Sequence, residues 1–466
     1  MNNIEFNEPL SKHTTMHIGG CAKKFVYAHD DEQLANALAD AQSENDRVFI
    51  LGAGSNLLVS DDGFDGVVVK MADDSVEWTP QDDGYMLVTI GAGALFDEIV
   101  ATACEKNCGG IECMSGIPGT LGGAIVQNIG AYGQEISEVF VSAQAMHKQS
   151  LETVTLTPQD LAFAYRTTAL KTPNNPYVVL RATLRLPPFV AEDAVRRCIE
   201  RNFARMVAQP PKTATELRHI VLKTRRSKGM CYDTDDFNTH SVGSFFVNPI
   251  LSEKEAQRHN AANIIRNHKS MPMFPAENGM KLSAAWLIEQ SDFTRGFIHK
   301  GAALSAYHTL AIVNRSDASC ADVLELAQLI VKGVFKRFHI TLSPEVVYLG
   351  KTGIEQLPIS LPKERIPNAI LEFSAIHCAI GFCRLRSRMR HDATRATIAY
   401  DPRHRPRRHT TNAPPTQIGR KRCPHSQTRE LGDFSQHPTN YRKRNRRRRR
   451  LGRRIGRLFG GARRCL

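Results

Sequence analysis

The chain has 466 residues, 42% hydrophobic and 23% charged, a globular composition too long for one ordinary core, so two or three domains are expected. Its formal net charge of +14 is unevenly placed: from Lys363 onward there are 28 Lys+Arg against 6 Asp+Glu, while residues 1–362 hold 33 against 41, so the body is acidic and is not read as a nucleic-acid binder. No apolar run approaches the roughly 20 residues that span a bilayer, and the start Met1–Leu10 lacks the apolar region of a secretory signal.

In residues 1–72, Asp30 or Asp31 caps a helix whose apolar stripe is Leu34, Ala37, Leu38 and Ala41. Val48–Leu51 reads as a buried strand opening into Gly52-Ala-Gly-Ser-Asn56, and strands at Leu57–Val59 and Val67–Val69 follow between Asp/Gly turns. Residues 73–222 remain α/β. Strands are expected at Met86–Ile90, Val139–Ala145, Thr153–Leu156 and Val178–Leu186, with Leu95, Ile99, Val100 and Ala103 on one helix face. A long glycine-rich loop runs from Gly109 to Gly133, and the basic stretch 190–215, broken by Pro210-Pro211, yields no clear element. Residues 223–340 contain a Trp-bearing helix near Leu282–Gln290 and an amphipathic helix with Val323, Leu326, Ala327, Ile330 and Val334 on one face, capped by Asp317 or Ser319. Ile340–Tyr348 reads as a strand carrying Pro344-Glu345, within a segment 341–360. Residues 361–466 include Arg446–Arg450 and little apolar periodicity; such a segment buries too little to offset its ordering entropy, and disorder is expected.

The eleven cysteines form no CxxC pair and no Cys/His cluster at zinc spacing, so no metal site is expected. Cys104, Cys108 and Cys113 are expected to be reduced, partly buried thiols. Gly52–Asn56 can turn several backbone N–H groups toward one anion, with Ser55 and Asn56 as further donors, although a plain tight turn has the same sequence. It is not the dinucleotide fingerprint, because no third glycine opens a helix at the required spacing. A second loop is barer: Gly116-Ile-Pro118-Gly119-Thr-Leu-Gly122-Gly123-Ala124, then Gln127-Asn128-Ile-Gly130-Ala131-Tyr-Gly133. So much glycine is costly in folding entropy and suits a large flat ligand lying on the main chain. Two such loops on two α/β units suggest an extended dinucleotide between them; a glycine-rich surface loop is the alternative.

These loops, with Phe163-Ala-Tyr-Arg166, Gly243-Ser-Phe-Phe-Val-Asn-Pro249 and Leu342-Ser-Pro-Glu-Val346 in the same order, resemble the UDP-N-acetylenolpyruvoylglucosamine reductases over about residues 10–355. Arg225-Arg-Ser-Lys-Gly-Met230 ahead of Gly243 is similar to the actinobacterial members. The resemblance implies a vanillyl-alcohol-oxidase-type fold. FAD would lie noncovalently between subdomains 1–72 and 73–222, with a smaller α+β substrate domain at 223–340 and the segment 341–360 returning to the active site. It implies NADPH as hydride donor, a UDP-amino sugar bearing an enolpyruvyl ether as substrate, and a cytoplasmic step of cell-wall synthesis. No His or Cys is expected to tether the flavin.

By the same resemblance Ser244 gives the proton, Arg166 faces the substrate carboxylate, and Glu345 acts at that carboxylate. A negative Glu345 would repel the substrate unless protonated or paired with Arg166. Gly52, Ala53, Gly54, Ser55, Asn56, Leu57, Pro118, Gly119, Gly122, Gly123, Ala124, Asn128, Gly130 and Ala131 correspond to the cofactor loops. Arg225 corresponds to a basic residue near the diphosphate, and Tyr165, Asn248 and Gln290 to pocket-lining groups. Val247 stands where the family often has Lys or Thr, Ala164 where Gly is common, and 187–217 lacks the tyrosine that many members fold over the diphosphate. The tail matches no part of the family. It is either a polybasic appendage suited to nucleic acid or anionic lipid, or the product of a frameshift near residue 361.

Overall fold

A computed structural model describes residues 4–172, 174–192, 211–276 and 278–360. The basic tail and most of the stretch 190–215 lie outside these residues. The first unit holds β1 (Ile4–Pro9), β2 (Cys21–Ala28), α1 (Asp31–Ser43), β3 (Arg47–Leu51), β4 (Leu57–Val59) and β5 (Phe64–Met71). Its sheet runs β1-β2-β5-β3, with β5 parallel to both β2 and β3. Asp30, not Asp31, caps α1: its carboxylate accepts the Gln33 N–H at 2.7 Å. The four stripe residues are all buried, against Val26, Val67 and Val69.

The second unit holds β6 (Val76–Pro80), β7 (Met86–Gly91), α2 (Phe96–Glu105), α3 (Leu121–Gln127), β8 (Phe140–His147), β9 (Thr153–Leu156) and β10 (Tyr177–Leu186). Its sheet is antiparallel, in the order β9-β8-β10-β7-β6. Leu95 is not on the buried face of α2. It precedes the helix as its N-cap and is 48% exposed, while Phe96 takes the core position. The expected loop 109–133 is interrupted by α3, because Leu121, Ala124 and Ile125 form an i, i+3, i+4 face that buries completely or nearly so. Gly122 and Gly123 hide that face from a propensity count.

A helix not foreseen, α4 (Ala214–Arg226), is capped by the Thr213 hydroxyl and packs Leu217 and Val221 on Cys113. It runs through the border drawn at 222/223, which therefore falls inside an element rather than in a linker.

The remaining part holds α5 (Glu253–Asn267), α6 (Ala284–Glu289), α7 (Cys320–Phe338) and two small antiparallel three-stranded sheets. The five apolar residues expected on one face of α7 are each fully buried, with Phe245, Phe246 and Ile312 in the same core. Each of the buried Val, Leu, Ile and Phe side chains contributes about 1.5–3 kcal/mol. Ser319, not Asp317, caps α7 in a capping box with Asp322. The Asp61 carboxylate also accepts the Cys320 and Ala321 N–H groups at 2.7 and 3.0 Å, tying α7 to the turn after β4.

The strand expected over 340–348 is shorter. Only β11 (Val347–Gly350) forms, parallel to β4. Pro344 has no N–H to extend a ladder. The extended segment leading into β11 reaches two loops: the Glu345 N–H donates to the Phe245 carbonyl (2.9 Å), and the N–H of Val347, the first residue of β11, donates to the Asn56 carbonyl (3.1 Å).

Among the described residues no helix is long and apolar enough to cross a membrane, and no group of three or more His, Cys, Asp or Glu side chains is placed to hold a metal ion. Cys104, Cys108 and Cys113 are buried free thiols, and burial pushes the Cys104 thiol up to about 12, so it is unreactive.

Candidate active site

The two glycine loops face one another. The Ser55 hydroxyl donates to the Pro118 carbonyl at 3.0 Å, so this side chain ties the loops together rather than standing free as an anion donor. At Gly54 the backbone is left-handed (φ +64°), and a Cβ there would sit 2.1 Å from the His13 carbonyl oxygen. At Gly52 a Cβ would meet the Thr120 hydroxyl at 2.6 Å. Gly54 admits only glycine, by its backbone conformation and by the close approach of other backbone, whereas a side chain at Gly52 would force the Thr120 hydroxyl to shift.

Between the loops opens a cavity of about 960 Å³. Gly52 through Leu57 line it, as do Pro118, Gly119, Gly122, Gly123, Ala124 and Gly130. The Thr120 hydroxyl, at the same wall, is buried without a hydrogen-bond partner among the described residues. A buried polar group without a partner is costly, so this wall fits an occupant that is polar there. A dinucleotide's size and chemistry meet both demands.

The catalytic candidates converge on this cavity from three distant parts of the chain. Ser244, Arg166 and Glu345 all line it. Ser244 is half-buried on a turn that begins at Gly243 (φ +74°) and is anchored by the fully buried Phe245 and Phe246. The Phe245 carbonyl accepts the Glu345 N–H, which sets the glutamate beside the serine turn. The Glu345 carboxylate lies 3.4 Å from Arg166 Nε and accepts from Gln127 Nε2 at 2.9 Å. The pairing that an anionic Glu345 requires is therefore present. Arg166 itself has left-handed backbone (φ +60°), and its guanidinium also donates to the Asn128 and Gly130 carbonyls.

Tyr165 and Asn248 line the same end and share a hydrogen bond. Burial holds the Tyr165 phenol above its ordinary value, against the opposing pull of Arg166. The Asn248 side-chain oxygen accepts the Ala284 N–H at 3.0 Å, so α6 fixes its orientation. Arg225 lines the cavity from α4, its Nη2 donates to the Met230 and Gly116 carbonyls, and its side chain is also hydrogen-bonded to Cys231.

Three named residues are placed elsewhere. Asn128 is buried behind the wall, donating to Glu135 and to the Ala164 carbonyl, because its left-handed backbone ends α3 and turns the side chain inward. Ala131 lies in a two-residue bridge with Gln134 and is not part of the lining. Gln290 follows α6 as its C-cap, is half-buried, and its side chain accepts from Lys269; it is not among the residues lining the cavity. Among the lining residues given no role from sequence are Thr120, Gln127, Lys171 and Tyr232. Thr120 and Gln127 sit inside the glycine loop, where side-chain direction depends on α3. Tyr232, hydrogen-bonded to His17 at 2.8 Å, supplies a tyrosine at the cavity that 187–217 lacks.

Residues 22–153 match the model of an FAD binding domain, and residues 235–349 match that of the UDP-N-acetylenolpyruvoylglucosamine reductase C-terminal domain. The enzyme of that name from Saccharopolyspora erythraea is 39% identical over 348 residues, which is 72% of this chain and 93% of the relative. The chain belongs to the UDP-N-acetylenolpyruvoylglucosamine reductase family. The relative from Streptomyces coelicolor is 38% identical, covering 73% of this chain and 89% of its own length. A crystal structure of the Thermus caldophilus reductase aligns with 75% of this chain and 98% of its own, at 24% identity and a TM-score of 0.49. As expected of the family from sequence, a two-part FAD-binding region precedes a smaller α+β domain.

Proposed function

We propose that this family member reduces the enolpyruvyl ether of UDP-N-acetylglucosamine enolpyruvate to UDP-N-acetylmuramate, with bound FAD and with NADPH as hydride donor. The step serves peptidoglycan precursor synthesis in the cytoplasm, on which cell-wall growth, shape and division depend. The observation that carries the reading is the Arg166–Glu345 pair set in the loop-walled cavity beside the Ser244 turn.

Gly52–Leu57 and Pro118–Ala124 would hold the FAD, with the Thr120 hydroxyl as a donor at their junction. Bound there, FAD would supply a two-electron hydride carrier between NADPH and the vinyl CH2 carbon. Arg166 binds the substrate carboxylate and stabilises the charge that spreads over it when the adjacent carbon becomes an enolate. A planar, permanently charged guanidinium suits that delocalised anion. Ser244 gives the proton that completes the reduction. A serine hydroxyl is a weak acid in water, so it acts only where the enolate is held against it in a site that excludes solvent. Glu345, held by Arg166 and Gln127, acts at the same carboxylate. Tyr165 and Asn248 shape the sugar end, and Arg225 supports the diphosphate.

The test is spectroscopic: NADPH should bleach the flavin band and the enolpyruvyl sugar should restore it. Ser244→Ala should still be bleached at a normal rate, yet recover about 100-fold or more slowly, the usual scale of a lost general acid. Recovery at the wild-type rate refutes the role given to Ser244. Separately, the +22 charge of residues 363–466 supports phosphate contact by that segment alone. Removing it should abolish salt-sensitive retention on DNA and leave turnover intact.

A further inference from the structure

Lys171 belongs to none of the motifs, yet it touches two of the three catalytic segments. It ends a single 3-10 turn, Ala169–Lys171, whose Leu170 is buried in the core. Its ammonium donates to the Arg166 carbonyl at 3.2 Å and to the Glu345 carbonyl at 3.4 Å. One carbonyl lies five residues away and the other 174. Arg166 is in the left-handed region, which is unfavourable for a residue with a Cβ, so its carbonyl direction needs external support. The segment holding Glu345 is outside any sheet at that point; Leu342 and Val346 on either side are buried in the core, and the Glu345 backbone between them is held by hydrogen bonds.

We propose that Lys171 is a positioning residue: by bridging the backbones of Arg166 and Glu345 it sets their side chains at ion-pair distance across the reaction site. The proposal rests on the proposed function, since the pair matters only if it acts on the enolpyruvyl carboxylate. Lys171 lines the cavity and is half-buried, where hydrogen bonds from an ammonium are stronger than in water. Burial pulls its pKa down, Arg166 adds to this, and the Glu345 carboxylate opposes both.

The experiment measures the two half-reactions of the full-length holoenzyme separately, by stopped-flow absorbance, for wild type, Lys171→Met and Lys171→Arg. Lys171→Met should be reduced by NADPH within about twofold of wild type but reoxidised by the enolpyruvyl sugar about tenfold or more slowly, the scale of one lost charged hydrogen bond. Lys171→Arg, which keeps charge and donors, should recover most of that loss. Calorimetry with UDP-N-acetylmuramate should show roughly tenfold weaker binding to Lys171→Met at unchanged FAD content. Wild-type reoxidation in Lys171→Met, or equal slowing of both half-reactions together with lost FAD, overturns the assignment. If Lys171→Met is insoluble, Lys171→Gln replaces it and is judged by the same two outcomes. A wild-type enzyme that NADPH bleaches but the sugar fails to reoxidise refutes the proposed function itself, and this role with it. Normal wild-type turnover beside an unaffected Lys171→Met refutes Lys171 alone.

Discussion

Asp61 joins the part of the chain that carries the cofactor loop to the part that carries Ser244, and its removal has a calculable cost. Its two carboxylate oxygens accept separate N–H groups at the start of α7, Cys320 and Ala321, beyond what the Ser319 cap already satisfies. Losing a cap of this kind costs about 0.5–2 kcal/mol, and losing a negative charge at a helix N-terminus costs about 0.3–1 kcal/mol more. Asp61 is exposed, so the sum for Asp61→Ala is about 2 kcal/mol rather than the larger figure for a buried carboxylate. Asp61→Asn keeps one acceptor and no charge and should lose about half of that. Urea unfolding followed by Trp286 fluorescence reads the right region, because its ring lies 5.6 Å from Phe338 at the end of α7. The chain has only two tryptophans, and a Trp78→Phe background leaves Trp286 alone as reporter. High salt should narrow the gap between wild type and Asp61→Asn, since that part is screened charge. If Asp61→Ala unfolds within about 0.5 kcal/mol of wild type, the change is that of an ordinary surface substitution and the proposed tie is refuted.

Gly54→Ala should yield protein with little FAD, because its Cβ would collide with the His13 carbonyl and the left-handed backbone adds strain of about 1–2 kcal/mol. The visible-to-ultraviolet absorbance ratio of the purified protein measures this, and a full complement of FAD would contradict it. His308 is held neutral: burial, then Lys228 and Arg295, lower it from 6.5 to about 4, and its Nδ1 accepts the Leu310 N–H at 3.2 Å. The unfolded chain binds this proton more readily. The stability gained from neutral His308 is therefore complete above pH 6.5, lost as pH falls toward about 4, and flat below that. Unfolding free energy should drop by at most about 3 kcal/mol over that window. The drop should be smaller in His308→Gln, and parallel pH profiles for the two proteins would rule it out.

The local patterns in the chain were decisive where one element determines its own outcome. The stripe on α1 and the apolar face of α7 follow from a period of 3.6 residues, and both bury as the pattern requires. The two glycine loops announce a ligand because backbone that bare is otherwise costly. Leu95 and α3 show the limit: one apolar residue stays outside, and a helix forms within glycines, because packing on the antiparallel sheet outweighs propensity. Gln290 shows it again at the site, since a motif position does not tell which way the end of α6 points.

The residue types for binding an anion and giving a proton are thus written in short motifs. Their meeting is not. The Phe245–Glu345 hydrogen bond, the Arg166–Glu345 pair and the Lys171 bridge each join segments about 100 residues apart or more. Such contacts depend on where carbonyls point after the sheets and helices have packed. No periodicity along the chain encodes that direction, so only the folded structure could reveal Lys171, or the orphaned Thr120 hydroxyl, as part of the site.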